Sequence, residues 1–178
     1  MNEQQDNNAT FARISGLTED HQRLAPFVGV FDAEVRFFMG AGDPVISTGA
    51  MRNELVLGGR FVQQQFQGDP PPGAGPEITP FAGVGLLGYN TVDKRYEAAW
   101  ADNASTVLQV ESGQVDDSGR EWSFYSRLTN PQTGGPMEKR TILMIDDDDH
   151  HRAEYWFREP EGPEIKAMEI HYSRRSEQ

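Results

Sequence analysis

The chain has no cysteine, which excludes disulfides and thiolate metal sites. A domain of 178 residues needs neither, because a chain of this size buries about 70% of the surface its unfolded form exposes. The absence is compatible with a reducing compartment. Basic residues are scarce beside acidic ones, 16 against 28, giving a net charge of -12. Nucleic acid is thereby excluded as a partner and an anionic membrane surface is disfavoured, since both require a basic face. No run approaches the roughly 20 apolar residues of a transmembrane helix. The polar, acidic stretch Met1–Thr10 has no apolar core of a secretory signal, so the expected location is cytoplasmic. Neither G-x-S-x-G nor H-E-x-x-H occurs, which removes the usual signatures of serine hydrolases and zinc proteases.

What is present is short alternating runs rich in Val, Ile, Phe, Tyr and Thr, separated by turn residues. The spacing predicts about ten strands: Val28–Met39, Val45–Leu57, Arg60–Gln67, Phe81–Tyr89, Arg95–Ala101, Ser105–Val115, Glu121–Thr129, Met137–Ile145, His151–Arg158 and Glu164–Ser173. Links such as Gly58-Gly59, Asp116–Gly119 and Asp146–Asp149 are too short for parallel crossovers and point to an antiparallel meander. Ten strands with one apolar face each hide that face best by closing, which also removes both edges. The expected fold is all-β, a closed antiparallel up-and-down barrel over residues 16–176, with a two-sheet sandwich as its competitor. Thr18 is a candidate cap for a short helix over Glu19–Pro26, and residues 1–15 are expected to be disordered. The proline-rich link Gly68–Pro80 is either a lid over a barrel mouth or a surface loop.

Alternation assigns faces. Phe31, Ala33, Val35, Phe37 and Met39 point inward from strand one; Tyr96, Ala98, Trp100 and Asp102 do so from strand five; Met168, Ile170, Tyr172 and Arg174 from the last. Asn53 shares a face with Met51, Leu55 and Leu57, while Gln64 and Arg140 lie on strands whose faces the pattern leaves open. The candidate ligand-binding residues are therefore Asn53, Tyr96, Trp100, Asp102, Arg140 and Tyr172. The candidate walls are Phe37, Leu55, Phe81, Leu87, Tyr96, Trp100, Phe124 and Met168. Buried polar groups of this kind either bond to one another or supply the few polar contacts of an apolar cavity. An inward arginine would select a fatty-acid-like or polyketide-like molecule with one acidic or carbonyl group.

Several segments, taken in order, resemble a bacterial family, the domain of unknown function 1579, among the calycin-like barrels. They are His21–Gly29, Ser47–Gly49, Asn53-Glu54, Leu57–Gln64, Gly83–Gly85, Leu87–Tyr89, Tyr96–Trp100 with Asp102, and Met168–Ile170 with Tyr172 and Arg174. The resemblance implies a lipocalin-like barrel and no established reaction or ligand. Calycin barrels often carry Gly-x-Trp on strand one beside a basic residue of the last strand. Here Gly29-Val30-Phe31 and Arg174 stand in those places, so the resemblance implies a cation–π contact with Phe in place of Trp. Related haem-binding barrels use a late-strand histidine; His171 is on such a strand, on its polar face.

Other motifs carry less. Gly83-Val-Gly85-Leu-Leu-Gly88 matches G-x-G-x-x-G, but a turn and a further strand follow it instead of a helix. Asp146-Asp-Asp-Asp-His-His151 lacks the alternation and central glycine of a calcium loop and reads as a solvated hairpin tip. His21, His150, His151 and His171 fall in a helix, a turn and an outward face. The expected function is binding of a small apolar or amphipathic ligand in the barrel, without cofactor or metal. The alternatives are a cyclase- or isomerase-like enzyme using Asp102 with Tyr172 or an arginine, and a haem-binding barrel. A homodimer is compatible with the sequence.

Overall fold

The computed structural model describes residues 3–69 and 79–176. Ten antiparallel strands follow one another around a closed barrel: β1 Gly29–Phe37, β2 Val45–Val56, β3 Phe61–Gly68, β4 Phe81–Asn90, β5 Arg95–Asp102, β6 Gln109–Val115, β7 Glu121–Thr129, β8 Pro136–Ile145, β9 His150–Arg158 and β10 Ile165–Arg174. Seven pairs from Phe31↔Arg174 to Phe37↔Met168 join β1 to β10 and close it. The predicted fold class is the observed one.

The departures are local. β6 begins at Gln109, not Ser105. Asp102 Oδ1 accepts the Ala104 N–H at 3.0 Å and Ser105 Oγ accepts that of Val107, so side chains take backbone donors a ladder would need. The last strand carries a bulge between Lys166 and Met168. It turns Lys166 outward to Glu154 and Glu169, each at 2.7 Å, while Met168 enters the barrel.

Residues 1–15 were expected to be disordered; instead Glu3–Ser15 forms helix α1. Its last carbonyls find donors on the barrel, Ile14 from the Thr91 hydroxyl and Ser15 from Arg60. The cap at Thr18 holds: a four-residue helix, α2 Glu19–Gln22, has a capping box in which His21 Nδ1 accepts the Thr18 N–H at 3.0 Å. A 3-10 turn, Ala25–Phe27, follows.

The two barrel ends differ. Short links 57–60, 91–94, 116–120 and 146–149 lie at one, where Leu24 and Phe27 plug the barrel against Val62, Leu87, Tyr96, Trp122 and Phe124, all at most 2% exposed. The longer links 38–44, 103–108, 130–135 and 159–164 lie at the other, where β3 also ends and β4 begins. Whether the Gly68–Pro80 segment acts as a lid falls mostly on residues 70–78, outside the described residues. Among the described residues no helix is long and apolar enough to cross a membrane.

Candidate functional site

The barrel interior changes character along its axis. In the plugged half the cluster around Leu24 and Phe27 is sealed, with Tyr89, Leu143 and Ile145 partly buried against it. Toward the open end, Phe37, Phe81, Trp100, Tyr155 and Met168 pack on the core but stay only partly buried. They occupy inward positions of their strands.

Around this open half the walls are unlike. On β1–β4 the inward residues are chiefly apolar: Val35, Phe37, Met51, Phe66 and Phe81, with Ser47 and Gln64 as exceptions. On β6–β9 they form a polar stripe. Lys139 of β8 donates to Glu111 of β6 and, at 2.8 Å, to Gln109 Oε1. Both ions are buried. The ammonium lies 5.1 Å from the Tyr155 ring centroid, close enough for attraction by the ring face. Register pairs Ser126 with Lys139 and Thr141 with Tyr155, and the Ser126 and Thr141 hydroxyl oxygens are buried with no partner among the described residues. The Tyr155 hydroxyl holds its proton more tightly than an ordinary tyrosine, because it is desolvated and near Glu111.

The residues expected to form a site are dispersed along this axis. Trp100 and Asp102 meet at the open end of β5, where the indole N–H donates to Asp102 Oδ2 at 3.1 Å. The Trp100 ring lies across Gly83 and Gly85 of β4, and a Cβ at either would strike it. The G-x-G spacing therefore serves ring packing. Tyr96 instead belongs to the plug; its hydroxyl donates to the Asp20 carbonyl at 3.1 Å, and burial with Asp20 nearby raises its pKa to about 12. Asn53 is also there, donating to the Phe27 carbonyl at 2.8 Å. Of the expected walls, Leu87 and Phe124 lie in the plug and Leu55 is exposed.

Arg140 is the plain correction. It faces outward and holds Glu164 through two hydrogen bonds, Nε at 2.8 Å and Nη2 at 2.5 Å. It lines an outer groove of about 680 Å³ with Tyr125, Arg158 and Glu164. The alternation along β8 runs Met137, Lys139, Thr141, Leu143 inward, so the neighbouring cation, Lys139, is the interior one. Tyr172 is buried in the closed half of β10, five strands from β5 either way around the barrel. An acid–base pair of Asp102 with Tyr172 is not assembled.

His151 was missed because it follows an acidic turn. That turn behaves as read, with His150 Nδ1 on Asp147 at 2.8 Å and Arg152 on Asp146 at 3.1 Å. His151, however, is the first inward residue of β9. It stacks on Tyr172 with ring centroids 4.5 Å apart and meets Phe31 edge-on at 4.6 Å. His171 does face outward, bonded to Glu169. Arg174 sits 4.6 Å over the Phe31 ring and donates to the Val28 and Pro26 carbonyls at 2.7 and 2.9 Å. Gly29, with φ +138°, leaves the room that guanidinium needs. Among the described residues no three His, Cys, Asp or Glu side chains converge to hold a metal.

A family model described as "Protein of unknown function (DUF1579)" matches residues 17–174. The chain belongs to the DUF1579 family. The match begins just after α1 and ends at the arginine that closes the barrel base. No curated protein matches the DUF1579 chain. Among solved structures it is similar to the crystal structure of Rv2717c from M. tuberculosis, at 16% identity and a TM-score of 0.63, over 90% of this chain and 99% of that one. That likeness is one of fold. A redesigned β-barrel aligns with a TM-score of 0.43 and 13% identity, over 91% of this chain and 100% of its own.

Proposed function

We propose that this chain binds one small amphipathic molecule in the open half of its barrel. The observation that carries the reading is the contrast within one interior: a sealed cluster around Leu24 and Phe27 in the plug, partly buried Phe37, Phe81, Trp100 and Met168 above it, and a continuous polar stripe on the β6–β9 wall. A lumen of this kind suits a ligand with an apolar body and a few fixed polar contacts. Trp100 and Asp102 stand at its entrance, and Gln109, Glu111, Lys139 and Tyr155 supply its polar side.

Titration with the neutral, environment-sensitive dye Nile red tests it. The parent protein is expected to bind one equivalent with enhanced fluorescence. Ser126→Phe, which places an aromatic ring among Glu111, Lys139 and Thr141, is expected to abolish that signal while circular dichroism still reports a folded β protein. An absent signal in the parent, or equal binding by a folded Ser126→Phe, overturns the reading.

A further inference from the structure

Arg140 lies outside on Glu164, so among the described residues the open half of the interior has no free guanidinium with which to hold a carboxylate. Among the described residues, Lys139 is the cation on the stripe, and Glu111 is already against it. The two charges cancel within the lumen, and the carboxylate at its entrance, Asp102, is negative. A ligand carboxylate entering here would lose its hydration and meet Glu111 before finding an unpaired positive charge. A neutral group with both a donor and an acceptor meets the opposite situation. Its oxygen accepts from the ammonium, its N–H or O–H donates to the carboxylate, and no net charge is buried. Opposite, Phe37, Phe66 and Phe81 offer only apolar surface.

Resting on the reading of the lumen as a binding site, we infer that its ligand is a neutral amphiphile whose head group both donates and accepts hydrogen bonds, a primary amide or an alcohol, and that carboxylates are rejected. The head lies against Glu111 and Lys139, and the chain runs along the β1–β4 wall.

Displacement of Nile red by probes that share a ten-carbon acyl chain, at pH 8, tests this. Decanamide is expected to displace the dye at a concentration at least about tenfold lower than decanoate, a difference of about 1.4 kcal/mol. Methyl decanoate, which accepts but does not donate, falls between them. Glu111→Gln leaves Lys139 unpaired, and decanoate is then expected to gain at least about tenfold relative to decanamide. The double variant Glu111→Gln/Lys139→Met removes both charges and is expected to keep the preference for the neutral probes. If Nile red does not bind the parent, the lumen reading fails. If the dye binds but decanoate competes as well as decanamide in the parent, the lumen reading stands and the neutral-head inference falls. An unchanged decanoate preference in a folded Glu111→Gln also overturns it. Should that variant not fold, the parent comparison and the double variant decide.

Discussion

Trp122→Ala is expected to destabilise the fold by about 3–5 kcal/mol, a large share of the total stability of a domain this size. Trp122 is 0% exposed and is the largest sealed side chain in the molecule. Phe27 meets its ring at 5.1 Å and 71°, and Tyr96 at 6.1 Å and 80°. These edge-on contacts tie β7 to β5 and to the segment before β1. Removing the indole thus leaves a cavity under Phe27 and loosens the segment that plugs this end of the barrel. Trp100→Ala provides the contrast. Trp100 shares an inward face with Tyr96 but stands in the open half, partly buried, over Gly83 and Gly85. With less buried surface to lose, its cost is smaller. Urea unfolding of both variants, at unchanged denaturant slope, measures the difference. A loss below about 1 kcal/mol for Trp122→Ala would show that the plug is not the fold's anchor.

Strand number, antiparallel order and most inward faces were legible because a two-residue period repeated ten times has few readings, and turn chemistry marked most of the links. Phe31 with Arg174 was legible for a different reason, a resemblance that aligned both ends of the chain. The position of each residue along the barrel axis was not. Alternation says in or out, and not whether an inward side chain falls in the plug or beside the lumen. Asn53 and Tyr96 were therefore grouped with Trp100, although α2 and the 3-10 turn seal them off. On β8, Lys139 and Arg140 are adjacent charges, and the apolar run after Thr141 fits either phase. The phase was decided by Glu111, a residue of another strand, which compensates one cation and not the other. His151 had a signal that went unused: it shares its face with Ala153, Tyr155 and Phe157, and its acidic neighbours hid it.

His151 is also the residue through which acid should act on the fold. It makes no hydrogen bond to a described residue and is enclosed by the rings of Phe27, Phe31 and Tyr172. Burial, and secondarily the Arg174 guanidinium, lowers its pKa from 6.5 to about 3. A base with a depressed folded pKa takes up its proton more readily when unfolded. Its contribution is therefore intact above pH 6.5 and is lost progressively as pH falls from there toward 3. Each unit of pKa difference corresponds to about 1.4 kcal/mol, so the loss attributable to His151 between pH 7 and pH 4 is about 3 kcal/mol. Carboxylates stabilised in the folded state, such as Asp116, whose pKa is lowered to about 2 chiefly by its bonds to Ser118, add an acid dependence of their own. That part is common to the parent and a variant at position 151 and cancels in their difference. His151→Phe keeps an aromatic ring among aromatic rings and has nothing to protonate. Any overpacking by the larger ring shifts its stability equally at both pH values. Urea unfolding at pH 7 and pH 4 should then show the parent losing about 3 kcal/mol more than His151→Phe. If the two lose the same amount, His151 is protonated within the folded barrel, and the interior beside Tyr172 must admit water.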